Sequence, residues 1–199
     1  MFTGIIQNLG SVISYTNGIL EISTSLDLSE CEIGSSICCN GVCLTATEIN
    51  NKNNQFVFKV NLGEETQQRT NFSQSLFDKS AYVNIEKSLK IGDEISGHFV
   101  YGHIDCITKI TDIKIFKNSW EFYFKNFENK NRNFIVEKGS IAINGISLTI
   151  AKEDKNNFSI SVIPHTYENT NLKYLKINDC VNVEFDYLAR FSMKDKVNE

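Results

Sequence analysis

Asn40-Gly41-Val42-Cys43-Leu44-Thr45 returns 104 residues later as Asn144-Gly145-Ile146-Ser147-Leu148-Thr149. Further echoes keep the same order. Thr70-Asn71 returns as Thr170-Asn171, and Val83-Asn84-Ile85-Glu86 as Val181-Asn182-Val183-Glu184. More weakly, Phe2-Thr3-Gly4-Ile5-Ile6 returns as Val100-Tyr101-Gly102-His103-Ile104. A repeat of roughly a hundred residues is too long for a solenoid, whose period is about 20–50, and matches a small domain. The chain therefore reads as two homologous domains in tandem with similar pockets. Such a protein suits two similar ligands, or one ligand with two similar ends.

Between the echoes lie short runs of period two. Ile19–Ser23, Phe56–Leu62, Trp120–Phe124, Phe158–Val162 and Val181–Phe185 alternate apolar with mixed residues and are rich in β-branched and aromatic types. These are half-buried strands. Asn- and Gly-containing stretches at Tyr15–Gly18, Asn50–Asn54 and Asp154–Asn157 supply the turns. Many short strands predict an all-β closed barrel or sandwich, and no long amphipathic helices at βαβ spacing suggest a doubly wound sheet. Helices are expected over about 71–78, after Thr170, within 127–137, and over 188–197, where a terminal helix would serve subunit association. The halves should divide in the polar, Gly-containing stretch 86–97, giving units 1–97 and 98–187 and a tail 188–199.

Composition is that of an ordinary globular chain, with 41% hydrophobic and 22% charged residues. A formal net charge of −4 and no basic cluster argue against a nucleic-acid binder. The opening Met1-Phe2-Thr3-Gly4 lacks the pattern of a signal peptide, so a cytoplasmic protein is expected. Six cysteines then read as free thiols, and their spacing does not suggest zinc.

Two of the three histidines, His98 and His103, share the segment 97–105, and histidine moves protons near neutrality. On a strand, a spacing of five would place them on opposite faces. Cys43 and Ser147 occupy matched positions; both are small, polar and nucleophilic in character. With Thr45 and Thr149 two residues on, each half offers a strand edge able to hydrogen-bond a flat heterocycle. Pro164-His165-Thr166 aligns with Glu64-Glu65-Thr66, while Lys138 has no clear counterpart. The halves share a frame and differ in reactive groups. No phosphate-cradling, dinucleotide or Gly-x-Ser-x-Gly motif is present.

In order, segments 1–6, 40–45, 97–103, 138–149, 164–166 and 182–190 resemble the signatures of the riboflavin synthase family, α-subunit type, across residues 1 to about 191. The resemblance implies two six-stranded Greek-key barrels and a C-terminal helix that assembles a homotrimer. It implies a transferase that dismutates two molecules of 6,7-dimethyl-8-ribityllumazine into riboflavin and 5-amino-6-(ribitylamino)uracil, without cofactor or metal. The site would lie between subunits, and lumazine synthase is a further candidate partner. By position, Gly4, Ile5, Ile6, Cys43, Leu44, Thr45 and a strand carrying Asn61, Leu62, Gly63, Glu64, Glu65 and Thr66 would line the first pocket. Gly102, His103, Ile104, Lys138, Ser147, Leu148, Thr149 and the stretch Ser161, Val162, Ile163, Pro164, His165, Thr166 would line the second. Phe2, Cys43, His98, His103, Ser147, Thr149 and Asp186 are the catalytic candidates. Tyr101, Cys106 and Lys173 depart from the family pattern, in which the first is a small serine and the others are glycines. The competing reading is a non-catalytic lumazine- or flavin-binding antenna protein of the same architecture.

Overall fold

The computed structural model describes residues 1–53, 55–72, 81–127 and 130–194. Each half closes into a six-stranded barrel. The first uses β1 (Asn8–Thr16), β2 (Ile19–Thr24), β3 (Ser36–Cys39), β4 (Val42–Lys52), β5 (Gln55–Asn61) and β6 (Tyr82–Lys87). The second uses β7 (Cys106–Phe116), β8 (Ser119–Lys125), β9 (Ser140–Ile143), β10 (Ile146–Glu153), β11 (Asn157–Val162) and β12 (Cys180–Phe185). The strand order is β1-β2-β5-β4-β3-β6 in the first and β7-β8-β11-β10-β9-β12 in the second, all pairs antiparallel. Within each, three hairpin-linked strands take a fourth beside the first of them, a Greek key. Closure removes exposed sheet edges.

The alternation seen in the sequence becomes the in–out pattern of the barrel wall. Leu20, Ile22, Phe58 and Val60 turn into the first core; Phe122, Phe124, Phe158 and Ile160 turn into the second. Each barrel has its own apolar cluster, and a third small one, of Phe2, Cys38, Val100 and Ala142, lies where the halves meet.

Among the described residues, three short α-helices complete the fold: α1 (Glu64–Arg69), α2 (Pro164–Asn169) and α3 (Tyr187–Lys194). The expected strand through Thr66 is corrected: β5 ends at Asn61, and Glu64 opens a helix with two acids in its first turn, where the positive end of the helix dipole favours them. In the second half Pro164 takes the corresponding first position, for which its fixed φ and missing N–H suit it. Single 3-10 turns at Lys130–Phe134 and Asn171–Tyr174 stand where longer helices were expected. Of the helix expected over 71–78, only residues 71 and 72 are among those described, as are only residues up to 194 of the terminal one.

The duplicated Asn-Gly pairs are the β3–β4 and β9–β10 turns. Asn40 and Gly41 have φ of 47° and 82°, Asn144 and Gly145 of 46° and 78°, the left-handed pair a two-residue hairpin needs. The two turns pack on one another: a Cβ on Gly41 would lie 2.7 Å from Gly145 N, and one on Gly145 2.6 Å from Gly41 N. Around them runs a buried asparagine network. Asn84 Nδ2 donates to the Asn144 carbonyl (2.9 Å) and Asn182 Nδ2 to the Asn40 carbonyl (2.8 Å). Asn171 N donates to Asn84 Oδ1 (2.7 Å) and Asn71 N to Asn182 Oδ1 (2.6 Å). The repeated asparagines are thus the polar seam joining the barrels, and their burial makes that seam demanding about geometry.

Candidate functional site

Residues 97–105 form no continuous strand, so the expected placement of His98 and His103 on opposite strand faces does not arise. Gly102, with φ of +82°, breaks the extended run, and the segment makes one isolated bridge, Val100 with Phe2. Phe2 N donates to Val100 O (2.7 Å) and Val100 N to Phe2 O (3.0 Å). Two arms, 2–4 and 100–102, therefore cross as a symmetric pair between the barrels. Phe2 lies fully buried at that crossing.

Each arm completes the barrel it does not precede. Ser147 N donates to Gly4 O (2.8 Å), and Cys43 N donates to Gly102 O (2.9 Å). Ile6 packs against the second core and Ile104 against the first. This corrects the assignment of arms to pockets: Gly4, Ile5 and Ile6 belong with Ser147, and Gly102, His103 and Ile104 with Cys43. The approach leaves room only for glycine, since a Cβ on Gly4 would lie 2.6 Å from Ser147 N and one on Gly102 2.7 Å from Cys43 N.

The matched strand starts behave alike. Leu44 and Leu148 turn into the cores, so Cys43 and Thr45, like Ser147 and Thr149, face outward. Their surroundings differ. His98 Nδ1 lies 2.7 Å from Ser147 Oγ. Burial holds the His98 imidazole below its ordinary pKa, against the pull of the Asp186 carboxylate. In the neutral tautomer that carries its proton on Nε2, Nδ1 accepts the Ser147 hydroxyl proton, the arrangement of a base beside a nucleophile. His98 lies two residues before Val100, the arm residue that aligns with Phe2. Asp186 also caps α3, its Oδ1 accepting from Leu188 N (2.9 Å).

The remaining candidates form the rims. Thr66 and Thr166 carbonyls accept from Thr70 Oγ1 (2.6 Å) and Thr170 Oγ1 (2.7 Å), giving α1 and α2 identical ends. Asn61, Gly63, Glu64 and Glu65 are exposed beside buried Leu62; Ser161, Ile163, Pro164 and His165 are exposed beside buried Val162. Tyr167 of α2 stacks on Trp120 at 3.9 Å, tying that rim to β8. Lys138, at φ of 65°, and His103 are exposed, and neither is bonded to Ser147 or Cys43. Tyr101 turns toward α3 and packs on Tyr187 at 4.7 Å. A shallow depression of about 180 Å³ sits elsewhere on the second barrel, beside Tyr123, Lys152 and Asn157. Among the described residues, no three His, Cys, Asp or Glu side chains are grouped to hold a metal, and no helix is long and apolar enough to cross a membrane.

A duplicated barrel with matched outward strand starts and exchanged arms defines a class, and comparison with known proteins identifies it: a profile described as the lumazine binding domain matches residues 3–88 and again 101–186. Riboflavin synthase of Brucella abortus is 37% identical over 98% of this chain and 97% of its own length. That of Actinobacillus pleuropneumoniae is 36% identical over 100% and 93%, and that of Escherichia coli 34% over 94% and 87%. The chain belongs to the riboflavin synthase family of transferases. Its fold is also that of LumP complexed with riboflavin, with TM-score 0.75 at 23% identity over 93% of this chain and 99% of the other. LumP complexed with 6,7-dimethyl-8-(1'-D-ribityl) lumazine gives TM-score 0.72 at 22% identity over 92% and 98%.

Proposed function

We propose that units 1–97 and 98–187 each hold one 6,7-dimethyl-8-ribityllumazine, and that one molecule passes four carbons to the other. The products are riboflavin and 5-amino-6-(ribitylamino)uracil. The supporting observation is the pairing of matched frames with unmatched chemistry: Ser147 has the His98 imidazole at 2.7 Å, and Cys43 sits at the equivalent position of the other barrel. The reaction needs that inequality, since one ring must lose a proton from its 7-methyl group while the other gains a nucleophile at C7. Ser147, polarised by His98, acts on the proton or on a water that takes it. Asp186 opposes desolvation of His98 through its charge. Stacking the rings face to face supplies rate through proximity.

The site is completed between subunits of a homotrimer, where the first barrel of one faces the second barrel of its neighbour. The α3 helix supports this: Leu188 and Phe191 are 75% and 59% exposed, more apolar surface than a free helix of this length presents comfortably. The enzyme works in the cytoplasm and can take its substrate from lumazine synthase. Purified protein mixed with the lumazine alone should develop the yellow-green absorbance of riboflavin, with the uracil formed in equal amount. A tightly held fluorophore without product would instead mark an antenna protein.

A further inference from the structure

The repeat contains another matched pair, Glu86 of β6 and Glu184 of β12, which the proposed chemistry does not use. Both are buried, 3% and 4% exposed. Their oxygens are taken by arm groups. Glu86 Oε1 accepts from Thr3 N (2.7 Å) and Thr3 Oγ1 (3.0 Å), and Oε2 from Gly4 N (3.0 Å). Glu184 Oε1 accepts from Tyr101 N (2.6 Å), and Oε2 from Gly102 N (2.9 Å) and His103 N (3.1 Å). Burying a carboxylate is costly unless such donors compensate it. Burial still raises both carboxyls, that of Glu184 to about 7. All the donors except Thr3 Oγ1 are main-chain groups, so meeting this demand fixes the arm's backbone.

The same residues that donate to the carboxylates accept from the other barrel. Gly4 gives its N–H to Glu86 and takes Ser147 N on its carbonyl; Gly102 gives its N–H to Glu184 and takes Cys43 N. The geometry points to Glu86 and Glu184 as positioning residues that act crosswise, each setting the ligand-facing edge of the opposite barrel. Glu86, in the first barrel, sets the edge beside Ser147; Glu184, in the second, sets the edge beside Cys43. The role rests on the reading that these edges hold lumazine.

Residue-resolved hydrogen exchange on the full chain tests the crossing without ligand, and lumazine kinetics test its use. Glutamine keeps the size of glutamate but turns an NH2 toward the arm donors. Glu184→Gln should speed exchange of the Cys43 amide about tenfold and leave that of Ser147 unchanged; Glu86→Gln should do the reverse. In both, the KM for lumazine should rise about tenfold with a smaller change in kcat, because no reacting group is removed. Thr3→Val deletes one bond to Glu86 at constant shape, and should speed the Ser147 amide by a smaller factor even where the glutamine variants fold poorly. Exchange that changes in the same barrel as the mutation, or in neither, overturns the proposal, as does crossed exchange with unaltered lumazine kinetics. A wild-type protein that ignored lumazine would instead defeat the proposed function, and with it the role toward that ligand, while the exchange pattern would still report the clamp.

Discussion

Replacing Gly145 by alanine isolates the cost of the contact between the two Asn-Gly turns. The substitution meets two penalties. An L residue at φ of 78° costs about 1–2 kcal/mol. The new Cβ would also lie 2.6 Å from Gly41 N and 2.9 Å from its Cα. Both atoms are backbone, so relief requires the turns to separate, stretching bonds such as Asn182 Nδ2 to Asn40 O and Asn84 Nδ2 to Asn144 O. Overpacking of that kind costs about 1–3 kcal/mol. Gly34→Ala provides the comparison, since Gly34 has φ of 95° and a Cβ there meets nothing within 4 Å. It should carry the backbone penalty alone. For a chain of this size each kcal/mol is worth about 2–4 °C in Tm, so Gly145→Ala should melt roughly 2–12 °C below Gly34→Ala in calorimetry. Equal melting temperatures would show that the turns do not bear on each other, and would remove the argument that the motif is a joint between barrels.

Other outcomes follow from the site. Ser147→Ala should lower kcat for lumazine turnover by about a hundredfold, the scale of a lost acid–base contact, and full turnover would remove Ser147 from the chemistry. His98 is held below its ordinary pKa, so the acid limb of kcat/KM should fall below pH 6.5. The sign for stability agrees: the unfolded chain takes up the proton first, so stability attributable to His98 is complete above about pH 6.5 and declines as pH drops toward the lowered native value. A His98→Asn variant should lose this limb, and an unchanged profile would assign it elsewhere. The single tryptophan, Trp120, stacks on Tyr167 of the α2 rim, so its emission should change as lumazine titrates in, and Tyr167→Leu should abolish that change. Leu188→Glu with Phe191→Glu should give a monomer by light scattering if α3 mediates assembly.

Much of the architecture was legible because a barrel strand repeats every two residues: Phe158–Val162 and Val181–Phe185 alternate without interruption, and β11 and β12 contain them. The Asn-Gly pairs were legible as a repeat, and the fold shows each to be a two-residue hairpin turn. What the sequence hid was non-local. An internal repeat shows that Gly4 corresponds to Gly102 but not which barrel either touches, and the crossing seats each arm on the barrel opposite to the one expected by position. Glu86 and Glu184 stood in plain view within the Val-Asn-x-Glu echo, yet a glutamate on a strand ordinarily faces water, and only the fold reveals the N–H groups aimed at it. Helices α1 and α2 were missed because six residues carry no helical periodicity; Pro164 and the Glu64-Glu65 pair were the available signs. The bond between His98 and Ser147 spans 49 positions, and no pattern within either half announces it.

The crossing of the arms bears on how the chain is made. Synthesis proceeds from the N-terminus, and domains generally fold as they emerge. Residues 2–4 leave the ribosome long before β10, the strand whose Ser147 N–H bonds to Gly4 O. The first barrel can hold Thr3 and Gly4 on Glu86 as soon as it closes, but the bonds of Phe2 to Val100 and of Gly4 O to Ser147 N must wait for the second half, so this arm is finished in two stages.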